Sequence, residues 1–183
     1  MPTRSAHIAA ALLACACAAN AHAQQPGAST PMFQITDARN EAVGFAITHS
    51  LVVERLLKAC AAFKDALPRD MDRVLQNWTE RNWERLEAAH GYLFYVREMT
   101  SGRAGSDEAE AWYRKTLDGI EQRATDALAD VFTQRGPTAA SCAKWSTTIA
   151  QTRADLDWRP QYIQLLDEIV AFHRSVLGKP GRR

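Results

Sequence analysis

Downstream of residue 35 the apolar positions recur at steps of three and four, the period of a helix that buries one face. Val43, Ala46, Val53, Leu57 and Cys60 form one stripe, and Phe45, Val52, Leu56 and Phe63 form a second beside it. Together they predict a first helix over about 36–66, wide enough in its apolar face to be central and stopped by Pro68. A second helix follows from Asp70 to about Thr100, with Met71, Leu75, Trp78, Leu86, Ala89, Leu93 and Val96 on one face and Ser101-Gly102 at its end. Ser106, followed by the acids Asp107 and Glu108, reads as the start of a third helix, because a hydroxyl cap and early acids suit a helix N-terminus. This helix runs through Trp112, Ile120, Leu128 and Val131 to about Gln134, and Gly136-Pro137 closes it.

A fourth helix over about 138–157 carries Cys142, Trp145, Ile149 and Leu156. The fifth begins near Pro160, a good first-turn proline, and carries Tyr162, Leu165, Leu166, Ile169, Phe172 and Val176 up to Gly178. No sustained period-two run predicts a strand. The expected fold is therefore all-α: an up-down antiparallel bundle of five helices, or of four with the fourth broken. Short connections favour antiparallel neighbours, so helices one, three and five are expected to point one way and helices two and four the other.

The first 35 residues break this pattern. Residues 1–23 read as a signal peptide: Arg4, an apolar run from Ile8 to Ala19, and a small-x-small site at Ala21-His22-Ala23. That run is shorter than the roughly 20 residues a membrane span needs. A competing reading takes Leu12-Leu13-Ala14-Cys15 as a lipobox, with a lipid on Cys15. Residues 24–35, beginning rich in Gln, Gly, Ser and Pro, read as a disordered lead-in, 36–178 as one bundle domain and 179–183 as a flexible tail. The chain is expected to be periplasmic or secreted, and not membrane-spanning.

Charge narrows the partners. Lys and Arg number 22 against 21 Asp and Glu, with the signs interspersed. Nucleic acid is not an expected partner, because phosphate binding needs a basic face. A protein or a small ligand is. Beyond the signal region only Cys60 and Cys142 remain, and exported thiols tend to pair. In an antiparallel bundle both lie at the same end, so a Cys60–Cys142 disulfide is expected. Neither belongs to a Cys-x-x-Cys pair, and there is no Cys-x-x-Cys-His haem attachment site.

Candidate chemistry is thin. Glu87 and His90 form a Glu-x-x-His on one face of the second helix, a spacing that di-iron bundles use twice and this chain shows once. His49, His90 and His173 fall at similar heights when each helix is laid out at about 1.5 Å per residue. With Glu87 they make a candidate transition-metal site, although the favoured expectation is no cofactor. A haem held by a histidine and Met32 or Met99 is a more distant reading. In the second helix Trp78 and Asn82 fall on the core stripe, and a buried Asn needs a partner, Ser50 being one available. Trp83 lies off that stripe, spaced with His90 and Phe94. Trp78, Asn82, Trp83 and Phe94 are thus candidate pocket or contact residues. Asn77-Trp78-Thr79 matches a glycosylation sequon, read here as chance. There is no Gly-x-Ser-x-Gly elbow and no phosphate-binding Gly-rich loop. The sequence points to an exported binding or accessory protein rather than an enzyme, with a metal- or haem-binding bundle as the alternative.

Overall fold

A computed structural model describes residues 33–67, 69–133 and 135–177, and the signal peptide, most of the lead-in, Cys15, Met32 and the C-terminal tail lie outside them. The described residues form an all-α bundle: α1 (Asp37–Cys60), α2 (Met71–Ala104), α3 (Ser106–Val131), α4 (Ala139–Ala150) and α5 (Pro160–Leu177), with short 3-10 turns at Ala61–Ala66 and Leu156–Trp158. Capping follows elementary chemistry. The Thr36 hydroxyl accepts from the Arg39 N–H to start α1, the Asp70 carboxylate accepts from the Asp72 and Arg73 N–H groups to start α2, and Thr138 with Ser141 makes a capping box for α4. Gly105 sits at φ +100° between α2 and α3, so the chain reverses there, and Ser106 is the first residue of α3 rather than its cap.

α1 and α2 form the central pair; α3 packs on both, and α4 and α5 each pack on both as well. The core is built from the stripes of α1 and α2: Val43, Ala46, Val53, Leu56 and Leu57 face Trp78, Leu86, Ala89, Tyr92 and Leu93. The Cys60–Cys142 disulfide is formed, with the two Cα atoms 5.4 Å apart, and ties the start of α4 to the upper end of α1.

The direction of α5 differs from expectation. Glu168 pairs with Arg39 and Phe172 stacks on Phe33, both at the lower end of α1, whereas Arg85 near the middle of α2 pairs with Asp157 and Asp167. α5 therefore descends beside α2 in the same direction, continuing the descent that α4 began. The last column is one broken helix, the second of the two arrangements expected. The break comes early. α4 ends at Ala150, not near Asp157, because Thr152 adopts a left-handed φ of 65° and the Thr152 and Arg153 N–H groups turn back to the Ile149 and Thr148 carbonyls.

The end of the lead-in is also corrected. Residues 33–35, expected to be disordered, are packed: Phe33 stacks face to face on Phe172 at 4.3 Å, Arg39 lies over the Phe33 ring, and the Tyr95 hydroxyl donates to the Phe33 carbonyl. An aromatic and an aliphatic residue directly before a helix cap act as an anchor rather than as linker.

Candidate functional site

The break between α4 and α5 builds two faces. Toward α2, residues 154–157 are fastened by side chains of a single helix. Trp78 Nε1–H donates to the Ala154 carbonyl at 2.9 Å. Asn82 accepts from the Leu156 N–H through Oδ1 at 3.0 Å, and its amide nitrogen donates to the Trp78 carbonyl at 2.8 Å and reaches Asp155 at 3.4 Å. Arg81 grips Asp155 with two nitrogens, at 2.8 and 3.0 Å, and donates to the Ile149 carbonyl at the end of α4, which also accepts from the Thr152 N–H. One turn further on, Arg85 pairs with Asp157 and Asp167. Trp78 and Asn82 are thus buried structural residues, as their place on the stripe implied, but the partner of Asn82 is the α4–α5 connection and not Ser50.

His49 joins the same knot from α1. Its Nε2 lies 2.7 Å from the Ala154 carbonyl; a carbonyl only accepts, so Nε2 carries the proton and donates. Burial holds this imidazole below its ordinary pKa of about 6.5, and the Ala154 bond and the Asp155 charge oppose that shift only in part. His173 is elsewhere. Its ring lies on the bare backbone of Gly91, where an added Cβ would come within 2.6 Å of Cδ2. His90 is exposed on the outer face of α2, and Glu87 is half-buried there, its Oε2 without a hydrogen-bond partner among the described residues. Among the described residues no group of three or more His, Cys, Asp or Glu side chains is placed to hold a metal ion. The similar heights laid out from the sequence depended on α5 ascending; because it descends, His173 sits at the level of Gly91, far below His49. Trp83 and Phe94 are both exposed, at 47% and 53%, and Phe94 lies under the Arg97 guanidinium.

The other face of the connection borders a groove that sequence reasoning missed. α1 has 24 residues, about 36 Å of helix, while α4 has only 12, about 18 Å. α4 therefore closes only the upper end of the space that α3 and α5 leave along α1. The result is a cavity of about 720 Å³, within the roughly 300–1,000 Å³ typical of small-molecule sites. Its upper part is apolar: Val52 from α1, Val131 from α3 and Trp145 from α4 are half-buried there, and the core residues Val53, Leu56 and Ile149 lie behind them. Lower down Phe45, His49, Trp158 and Tyr162 form an aromatic wall, with ring centroids 5.1 to 6.2 Å apart. The polar groups are few: Asn40, Glu41, Thr48, Arg123 and Arg159. The Thr48 hydroxyl is buried and has no hydrogen-bond partner among the described residues. A second depression, about 690 Å³, runs along α5 past Asp157, Asp167 and Glu168, whose carboxylates Arg85 and Arg39 already hold.

Compared with known proteins, the chain matches no family model, no curated protein and no solved structure. No described helix is long and apolar enough to cross a membrane.

Proposed function

We propose that this chain is an exported, non-enzymatic binding protein that carries a small, largely apolar ligand in the groove between α1, α3, α4 and α5. The observation that carries the reading is the groove itself: an apolar and aromatic lining with a few polar groups along it, which is the make-up of ligand pockets in general. Export rests on the signal-like residues 1–23 and accords with a disulfide, which persists in oxidising compartments. Non-enzymatic action rests on the polar groups present. His49 lies in the lining, but its one donor is committed to a backbone carbonyl, and no nucleophile is paired with it.

The test uses Nile red, a neutral apolar dye that brightens when it leaves water, added to the purified mature protein. Saturable brightening at about one dye per chain is expected, and Ala127→Trp, which fills the groove from α3, should abolish it. Brightening that does not saturate, or that survives Ala127→Trp in a folded protein, would sink the reading.

A further inference from the structure

The polar groups of the groove are not spread evenly along it. From Asn40 to Leu56 the floor follows α1 for about 24 Å at 1.5 Å per residue. The end near Leu56 is apolar. The charged side chains gather at the level of Gly44 and Phe45. Arg123 reaches across from α3 and lies on two glycines; a Cβ at Gly44 would stand 3.4 Å from its Nη2, and one at Gly119 3.5 Å from its Nη1. Arg159 enters from the opposite wall, its guanidinium carbon 4.5 Å from the centre of the Trp158 ring and 5.6 Å from that of Phe45. Neither arginine forms a salt bridge with a described residue; the same is true of Arg69, Arg73, Arg103, Arg135 and Arg153, but of these seven only Arg123 and Arg159 line the groove. The one carboxylate in the lining, Glu41, lies on α1 below them and is exposed.

Two guanidinium groups without a salt bridge to a described residue, at one end of a long apolar trough, make an asymmetric site. A guanidinium is planar, always charged and matched to a carboxylate, and aromatic faces hold it without neutralising it. The geometry points to a single-chain amphiphile with a carboxylate head as the ligand: the head between Arg123 and Arg159, and the chain running up α1 toward Leu56 and Trp145. This assignment rests on the groove being the binding site and adds the charge and orientation of what it holds.

The experiment displaces Nile red from the mature protein with three ligands of equal chain length: decanoate, decanol and decyltrimethylammonium. Decanoate should displace the dye at about a tenfold lower concentration than decanol, the difference one charge-assisted contact supplies, and the cation should be weakest. Arg123→Gln with Arg159→Gln should bring decanoate down to the level of decanol. Arg159→Lys, which keeps the charge, should retain most of the preference, and Glu41→Gln should improve decanoate several-fold. Equal displacement by decanoate and decanol, or a preference unchanged in the double variant, overturns the assignment while leaving the groove a binding site. If Nile red never binds the unaltered protein, the groove reading itself fails. Both arginines are at the surface, and coincident melting curves show that the double variant reports on binding and not on unfolding.

Discussion

Residues 151–159 look two ways, and the two sides are built on opposite rules. On the α2 side, Trp78, Arg81, Asn82 and Arg85 meet carbonyls, an N–H and carboxylates. On the groove side, Arg159 lies on aromatic rings and forms no salt bridge with a described residue, and the Thr48 hydroxyl has no partner among the described residues. A polar group buried without a partner costs about 1–3 kcal/mol. The α2 side of the connection satisfies its polar groups within the protein, and the groove side leaves a guanidinium without a salt bridge and a hydroxyl without a hydrogen bond among the described residues. The same nine residues of chain show both, so the contrast does not arise from differences in local composition.

The largest test of the structural side removes its tether. Replacing Cys60 and Cys142 by Ser opens a loop closed across 82 residues of sequence, which should cost about 4 kcal/mol in the chain-entropy model and lower the melting temperature by roughly 8–16 °C. Calorimetry of the oxidised protein and the double variant checks this. A shift of only a degree or two would mean that packing alone holds α4 on α1.

Asn82→Ala should cost about 2 kcal/mol, read as a lower urea midpoint, because it leaves the Leu156 N–H buried and unpaired. Arg159→Ala, on the other face of the same connection, should change the midpoint by less than about 0.5 kcal/mol. Equal losses would erase the distinction between the two sides. His49 gives the pH form of the same test. Its folded pKa lies below the unfolded value of about 6.5, so as the pH falls below 6.5 the unfolded chain takes up a proton that the folded one resists. The contribution of His49 is complete above that pH and is lost as the pH descends toward the folded pKa. His49→Gln should flatten this part of the stability profile between pH 7 and 5. A profile that stays parallel to that of the unaltered protein would mean that the imidazole is not confined at the knot.

The helices, the core stripes and the disulfide were legible in the sequence because each rests on local periodicity or on a count of thiols. The stop of α4 was not. Thr152 occupies the left-handed position that Gly usually marks, so nothing in Gln151–Asp155 announces a turn. A β-branched residue there is strained, and Thr152→Gly should raise stability by about 0.5–1 kcal/mol; a loss would show that the hydroxyl or methyl has a contact worth more than the strain. A reading that carries α4 through to Asp157 lengthens it, reverses α5, brings the three histidines to one level and hides the groove. The groove exists because α4 is short, and helix length is the property that periodicity reports least well at its ends. Asn82 shows the same limit: its burial follows from the stripe, but its partner lies 74 residues away and no spacing rule reaches it.

The smallest expected effect concerns the outer face of α2. Trp83 and Phe94 are eleven positions apart, close to three full helical turns, so they share a face about 16 Å end to end, with His90 between them. Scattered exposed aromatics are ordinary on soluble proteins. Phe94 is partly covered by Arg97, which also lies over Tyr113 of α3, so it belongs to the α2–α3 seam more than to an open patch. Trp83→Ser and Phe94→Ser should each move the urea midpoint by less than about 0.5 kcal/mol and leave the sedimentation coefficient unchanged. Should the unaltered protein sediment as a dimer and the Trp83→Ser variant as a monomer, the face would be an interface, and the accessory-subunit reading would gain the support that the groove now gives to ligand binding. The two outcomes are independent, because Trp83 and Phe94 do not line the groove and none of the groove residues lies on that face of α2.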